Sequence, residues 1–191
     1  MSISFWTIDD YVNAYRNNQT TPTLVAKAFF AAVTKSDEDQ PPLRSIIKFN
    51  ASAILAQAQK STKRWKSGAQ LSVLDGVPIA VKDEFAVKDY THTFGTNGKF
   101  VGLQQETTDD TIIARLRSMG ALIVGIANMH EYGVLPLGYN QHHGSSRNPY
   151  DPRRISGGSS SGSAAAVSSG LVPVAIGADG TQLLCCSSLL P

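Results

Sequence analysis

Cysteine is almost missing from the sequence: 191 residues contain 2, and they are neighbours, Cys185 and Cys186. Adjacent thiols supply neither a disulfide framework nor the ligand spacing of a zinc site. Charge of one sign is also lacking, since 17 Lys and Arg stand against 15 Asp and Glu for a formal net charge of +2. A surface that tracks phosphates needs clustered cations, and the densest cluster, Lys60, Lys63, Arg64 and Lys66, reads as the solvated face of a helix. No nucleic-acid contact is expected. No apolar run approaches the ~20 residues of a membrane span. Residues Met1 to Asp10 carry acids where an export signal carries Lys or Arg followed by an apolar stretch, so a cytoplasmic chain is expected. What is plentiful is core material. With 42% hydrophobic residues, disordered and collagen-like classes are excluded. A domain of this size buries about 70% of its unfolded surface without metal or disulfide staples.

The first 70 residues read as a helical region. Thr7 precedes Ile8, Tyr11, Val12 and Tyr15 at helical spacing, and Asp10 stands three residues on as a capping partner. Thr21-Pro22 opens a second helix with Val25, Ala28, Phe29 and Ala32 on one stripe. A third follows Asn50, with Ile54, Leu55 and Ala58 on one face, and Gly68 suits its left-handed end. Leu43 to Phe49 between them reads as a strand. Beyond Leu71 the pattern becomes strand, loop, helix, strand: Val77 to Val81, then Thr111 to Met119 capped by Asp109 or Asp110, then Ala121 to Ile126. That order belongs to a mainly parallel α/β sheet.

Residues 156–170 hold 7 Ser, 4 Gly, 3 Ala and one Val, a composition that by itself suits a flexible linker. Ser163 to Val167 nevertheless turns helical, and Leu171 to Ile176 is strand-like. A packed Gly/Ser loop at a helix N-terminus fits that succession better. Gly158-Ser159-Ser160-Ser161-Gly162 matches the nucleophile elbow with Ser160 as attacking group, but that elbow follows a strand directly. Here Asn148 to Arg154 precedes, with Pro149 and Pro152 arguing for an extended loop. No Lys follows the glycines, so a phosphate loop fails. His92, His130, His142 and His143 read as polar loop residues. Lys82 ends the strand Ile79 to Val81. A lysine there is ordinarily a solvated charge, but desolvation disfavours an ammonium, and a buried amine can replace histidine as base to a serine.

Three segments make a family recognisable: Leu74 to Asp83 (LDGVPIAVKD), Gly144 to Tyr150 (GSSRNPY) and Gly157 to Val167 (GGSSSGSAAAV). Together with Gly120-Ala121 and Asn128-Met129-His130-Glu131, they resemble, in order and spacing, the amidase signature family over Leu71 to about Gly180. That family includes fatty acid amide hydrolases, bacterial amidases and the A subunit of glutamyl-tRNA(Gln) amidotransferase. The resemblance implies an α/β fold with a mixed sheet flanked by helices, and hydrolysis of carboxylic amide C–N bonds by a Ser/cis-Ser/Lys triad. By motif position Lys82 is the base and Ser159 the bridging serine on a cis peptide, itself next to substrate. Gly133 and Gly180 would also face the substrate, a small-molecule amide. No cofactor or metal is implied, and oligomeric state is left open.

The family places its nucleophile in a Gly-x-Asp-x-Gly-Gly-Ser element whose N–H groups also form the oxyanion hole. Gly177-Ala178-Asp179-Gly180 begins it, but Thr181, Gln182 and Leu183 then stand where glycine, glycine and serine belong. The expected division is therefore 1–70 helical, 71–180 the N-terminal part of the family core, and 181–191 a tail foreign to it. The expectation is a chain cut short before the nucleophile by a frameshift, an alternative splice or a gene-model error, and nearly or wholly inactive on amides. A catalytically dead binding or regulatory fragment and a tRNA-linked amidotransferase A-subunit-like protein are the alternatives.

Overall fold

The computed structural model describes residues 3–98 and 105–179. Three helices come early: α1 (Ile8–Arg16), α2 (Pro22–Glu38) and α3 (Ala51–Ser67), with strand β1 (Ile46–Lys48) between the last two. Their ends follow local chemistry. Thr7 and Asp10 close a reciprocal capping box on α1, and Gly68 ends α3 at φ +69°. Next come β2 (Pro78–Lys82), α4 (Thr111–Ser118), β3 (Leu122–Ala127), β4 (Arg147–Asn148), β5 (Asp151–Ile155), α5 (Ser161–Ser168) and β6 (Val174–Ile176).

The main sheet has the order β1-β3-β2-β6, with β2 parallel to both β3 and β6 and β1 antiparallel to β3. This is the mixed α/β sheet expected. All residues of β2 and β3 are buried, as a strand covered on both faces requires. On one side Ala80, Leu122, Val124 and Ala127 pack with α2, α3 and α5. On the other Ile79, Val81, Ile123 and Ile126 pack with Ile113 of α4 and Val87. Register slips between Ile79/Ile123 and Ala80/Gly125, and the extra residue on β3 brings Ile126 to the same side as Ile123. Strand parity therefore puts Lys82 on the Ala80 side, the side that α5 covers.

Two sequence expectations change. Neither candidate aspartate caps α4: Asp110 is its N-cap residue but makes no side-chain cap, because its carboxylate accepts from Ala86 N–H at 2.8 Å. Asp109 instead pairs with Arg117 at 2.8 Å and accepts from Lys88 N–H. Residues 148–154 are not an irregular loop, since β4 and β5 pair as an antiparallel hairpin. Pro149 falls in its turn and Pro152 in a strand of a two-stranded sheet, positions that need no ladder donor.

The Ser/Gly-rich stretch is packed. Gly162 shows why small residues are needed: a Cβ there would lie 2.3 Å from both Asn128 N and Ser45 O. Its own N–H donates to Asn128 O at 2.8 Å. Ala165 and Ala166 are fully buried against the sheet. No helix among the described residues is long and apolar enough to cross a membrane.

Candidate active site

Lys82 leaves the C-terminal end of β2 fully buried. Its Nζ lies 2.8 Å from Ser159 Oγ, 2.8 Å from the Ala178 carbonyl and 2.6 Å from Glu84 Oε2. The strand supplies the lysine, the loop before α5 the serine, and the segment after β6 the carbonyl. The Gly158–Ser159 peptide is cis. Ser159 O accepts from His130 N–H at 3.0 Å, which ties this loop to the end of β3. Ser160, the elbow candidate, binds the Ala178 carbonyl through its Oγ at 3.1 Å and immediately precedes α5. It also accepts from Ala178 N–H at 3.3 Å, so it pins Ala178 and stands in no strand-to-helix elbow.

Gly133 lies beside the pair of Lys82 and Ser159. It takes φ +66° at the end of a short 3₁₀ turn, and a Cβ on it would sit 3.7 Å from Ser159 Oγ and 3.8 Å from Glu84 Oε2. Lys82, Ser159 and Gly133, far apart in sequence, are thus neighbours in space. Gly180 and residues 181–191, including position 183, lie outside the described residues.

Sequence reasoning missed two acids. Glu84 stands in the turn that follows β2, where Phe85 N–H donates to the Lys82 carbonyl at 3.2 Å, so strand parity along the sequence does not reveal it. Asp83 is fully buried and accepts from Thr93 N–H at 3.1 Å, Thr93 Oγ1 at 2.5 Å and Gly95 N–H at 2.9 Å, with Lys48 Nζ at 3.3 Å. It fastens the 93–95 loop, whose Phe94 carbonyl accepts from Tyr132 N–H at 2.8 Å beside Gly133. His143 stands nearby, where burial, the neighbouring His142 and Lys48 push its imidazole below the ordinary value of 6.5.

A family model described as Amidase matches residues 27–181. The chain belongs to the amidase family. Its sequence is 41% identical over 182 residues to the fatty acid amide hydrolase of Arabidopsis thaliana, covering 94% of this chain and 29% of that protein. It is 33% identical over 172 residues to the A subunit of the glutamyl-tRNA(Gln) amidotransferase of Endomicrobium trichonymphae, covering 90% of this chain and 34% of that one. The structure of a peptide amidase in complex with the competitive inhibitor chymostatin superimposes with a TM-score of 0.84 at 27% identity, over 96% of this chain and 38% of that chain. The chain therefore spans about 29% of the length of these fatty acid amide hydrolase relatives.

Proposed function

We propose that this chain carries the proton-handling half of an amide hydrolase, with Lys82 as base and Ser159 as the serine that bridges it to an attacking hydroxyl. The observation that carries the reading is a fully buried lysine whose Nζ meets the Ser159 hydroxyl at 2.8 Å. A proton leaving the attacking serine passes to Ser159 Oγ while the Ser159 proton passes to Lys82. The return path protonates the departing amine. Residues 71–180 form the reacting core in this reading, and residues 1–70 support it through α2 and α3. Gly133 and Gly180 border the substrate. Leu183 stands where the family pattern has the attacking serine, so the chain itself hydrolyses amides barely or not at all.

The substrate class that fits is the amide of an apolar carboxylic acid. Tyr132, Val134, Leu135, Leu137 and Tyr139 are all exposed in the segment next to Gly133, an apolar rim beside Ser159. The named activity of the Arabidopsis relative agrees with such a rim. The test is a chimaera in which residues 27–180 replace the matching segment of that relative. Hydrolysis of a long-chain fatty acid amide is expected, with kcat/KM falling at least about 10²-fold on Lys82→Ala or Ser159→Ala. A folded chimaera whose rate survives Lys82→Ala overturns the reading.

A further inference from the structure

Ser159 is half-buried, and among the described residues its hydroxyl has one hydrogen-bond partner, the Lys82 amine. Of the three oxygens around Nζ, the Ala178 carbonyl and an ionised Glu84 can only accept, whereas the Ser159 hydroxyl can also donate. A neutral amine offers two N–H bonds and one lone pair. The ammonium donates to all three oxygens, and once it gives up a proton its two N–H bonds stay on Ala178 and Glu84 while the lone pair faces the Ser159 O–H. Gly133 places no side chain beside Ser159, and even a Cβ there would stop 3.7 Å from Oγ. Helix α5 starts two residues on with no side-chain cap, so its partial positive charge lies at the reacting end.

We propose that Ser159 is itself a nucleophile in this chain, and that Lys82 and Ser159 form a dyad that takes acyl groups from activated esters. The inference rests on Lys82 acting as base, as in the amidase reading, but it needs no serine at position 183. Ser159 Oγ forms a bond to the ester carbonyl carbon, and the carbon–oxygen bond to the alcohol breaks. The Oγ proton goes to Lys82 Nζ and from there to the departing alkoxide, which leaves as the alcohol. Water then attacks the acyl–Ser159 ester, its proton returns through Lys82 to Oγ, and the acid is released. Ester and water give acid and alcohol, with no further reactant. Esters of acidic alcohols are the substrate class, because a phenolate leaves far more readily than an amine.

The experiment treats the full chain with p-nitrophenyl acetate and locates the acetyl group by peptide mass mapping. One acetyl on Ser159 is expected, absent in Ser159→Ala. Its rate of formation should fall at least about 10²-fold in Lys82→Met. Lys82→Arg keeps the charge and the donors but cannot accept a proton, so it should show the same loss. A purely structural lysine would be rescued by arginine. Each variant is checked for a cooperative thermal transition, and the arginine variant serves if the methionine variant does not fold. Acetylation confined to Cys185, Cys186 or surface lysines, or a Ser159 rate unchanged by Lys82→Arg, overturns the dyad. An amide-hydrolysing chimaera that requires Lys82, alongside an unacetylated Ser159 here, overturns the dyad alone. Loss of the Lys82 requirement in the chimaera overturns the relay as well.

Discussion

Buried charge at the residue scale is stabilised in this protein by close polar partners. Asp83 is the clearest case, with its four donors from Lys48, Thr93 and Gly95. Asp83→Asn replaces an acceptor oxygen by an NH₂ that faces donors, leaving buried groups unsatisfied. We expect a loss of about 2–3 kcal/mol, read as a lower urea midpoint at unchanged slope. Lys82 follows the same rule with its own three oxygens. The motif around it names lysine and serine as a pair, and the sequence pointed to both. It could not point to Asp83, because the Thr93 and Gly95 partners are loop residues whose approach depends on where the chain turns after β2.

At the scale of the element, the least regular composition produces the most exacting packing. Helix α5 lies so close to the end of β3 that Gly162 has no space for a methyl group. Alanine at that position would gain ~1 kcal/mol of helix propensity, whereas forcing a methyl into a filled site costs about 1–3 kcal/mol. The clash is with backbone atoms, which yield least, so Gly162→Ala should destabilise by about 1–2 kcal/mol in thermal or urea unfolding. Because α5 carries the Ser159 loop, the same variant should also slow acetylation of Ser159, a comparison that peptide mapping can make directly. Helices α1, α2 and α3 were legible from periodicity and caps. The β4–β5 hairpin was not, because two prolines in seven residues hide a strand pair whose donors are needed on one side only.

For the whole molecule, stability against acid depends on groups spread over several elements. Burial alone would raise the Asp75 carboxyl. Arg64, with donor distances of 2.6 Å to both oxygens, the Ser61 hydroxyl and the Leu71 N–H outweigh that and hold it below its ordinary value of 3.8. A carboxyl lowered by folding adds stability that is fully present above the unfolded value and is lost as pH falls toward the folded one. His143, also lowered, loses its contribution in the same direction but beginning below 6.5. The urea midpoint should therefore decline in two stages, below about pH 6.5 and again below about pH 4. His143→Gln should flatten the upper stage and Asp75→Asn the lower. Asp75→Asn should also cost about 3 kcal/mol at neutral pH by stranding Arg64.

Period and local chemistry are written along the chain, so the sequence alone determined the helices, the buried strands, the family motifs and the residues Lys82 and Ser159. Those features depend on neighbours within a few positions. The meeting of Lys82 with Ser159, Glu84, Ala178 and Gly133 spans from position 82 to position 178. Only the tertiary structure decided it, because strand parity, the extra residue in β3 and the close seat of α5 together choose which side chains face one another, and each is a property of packed elements.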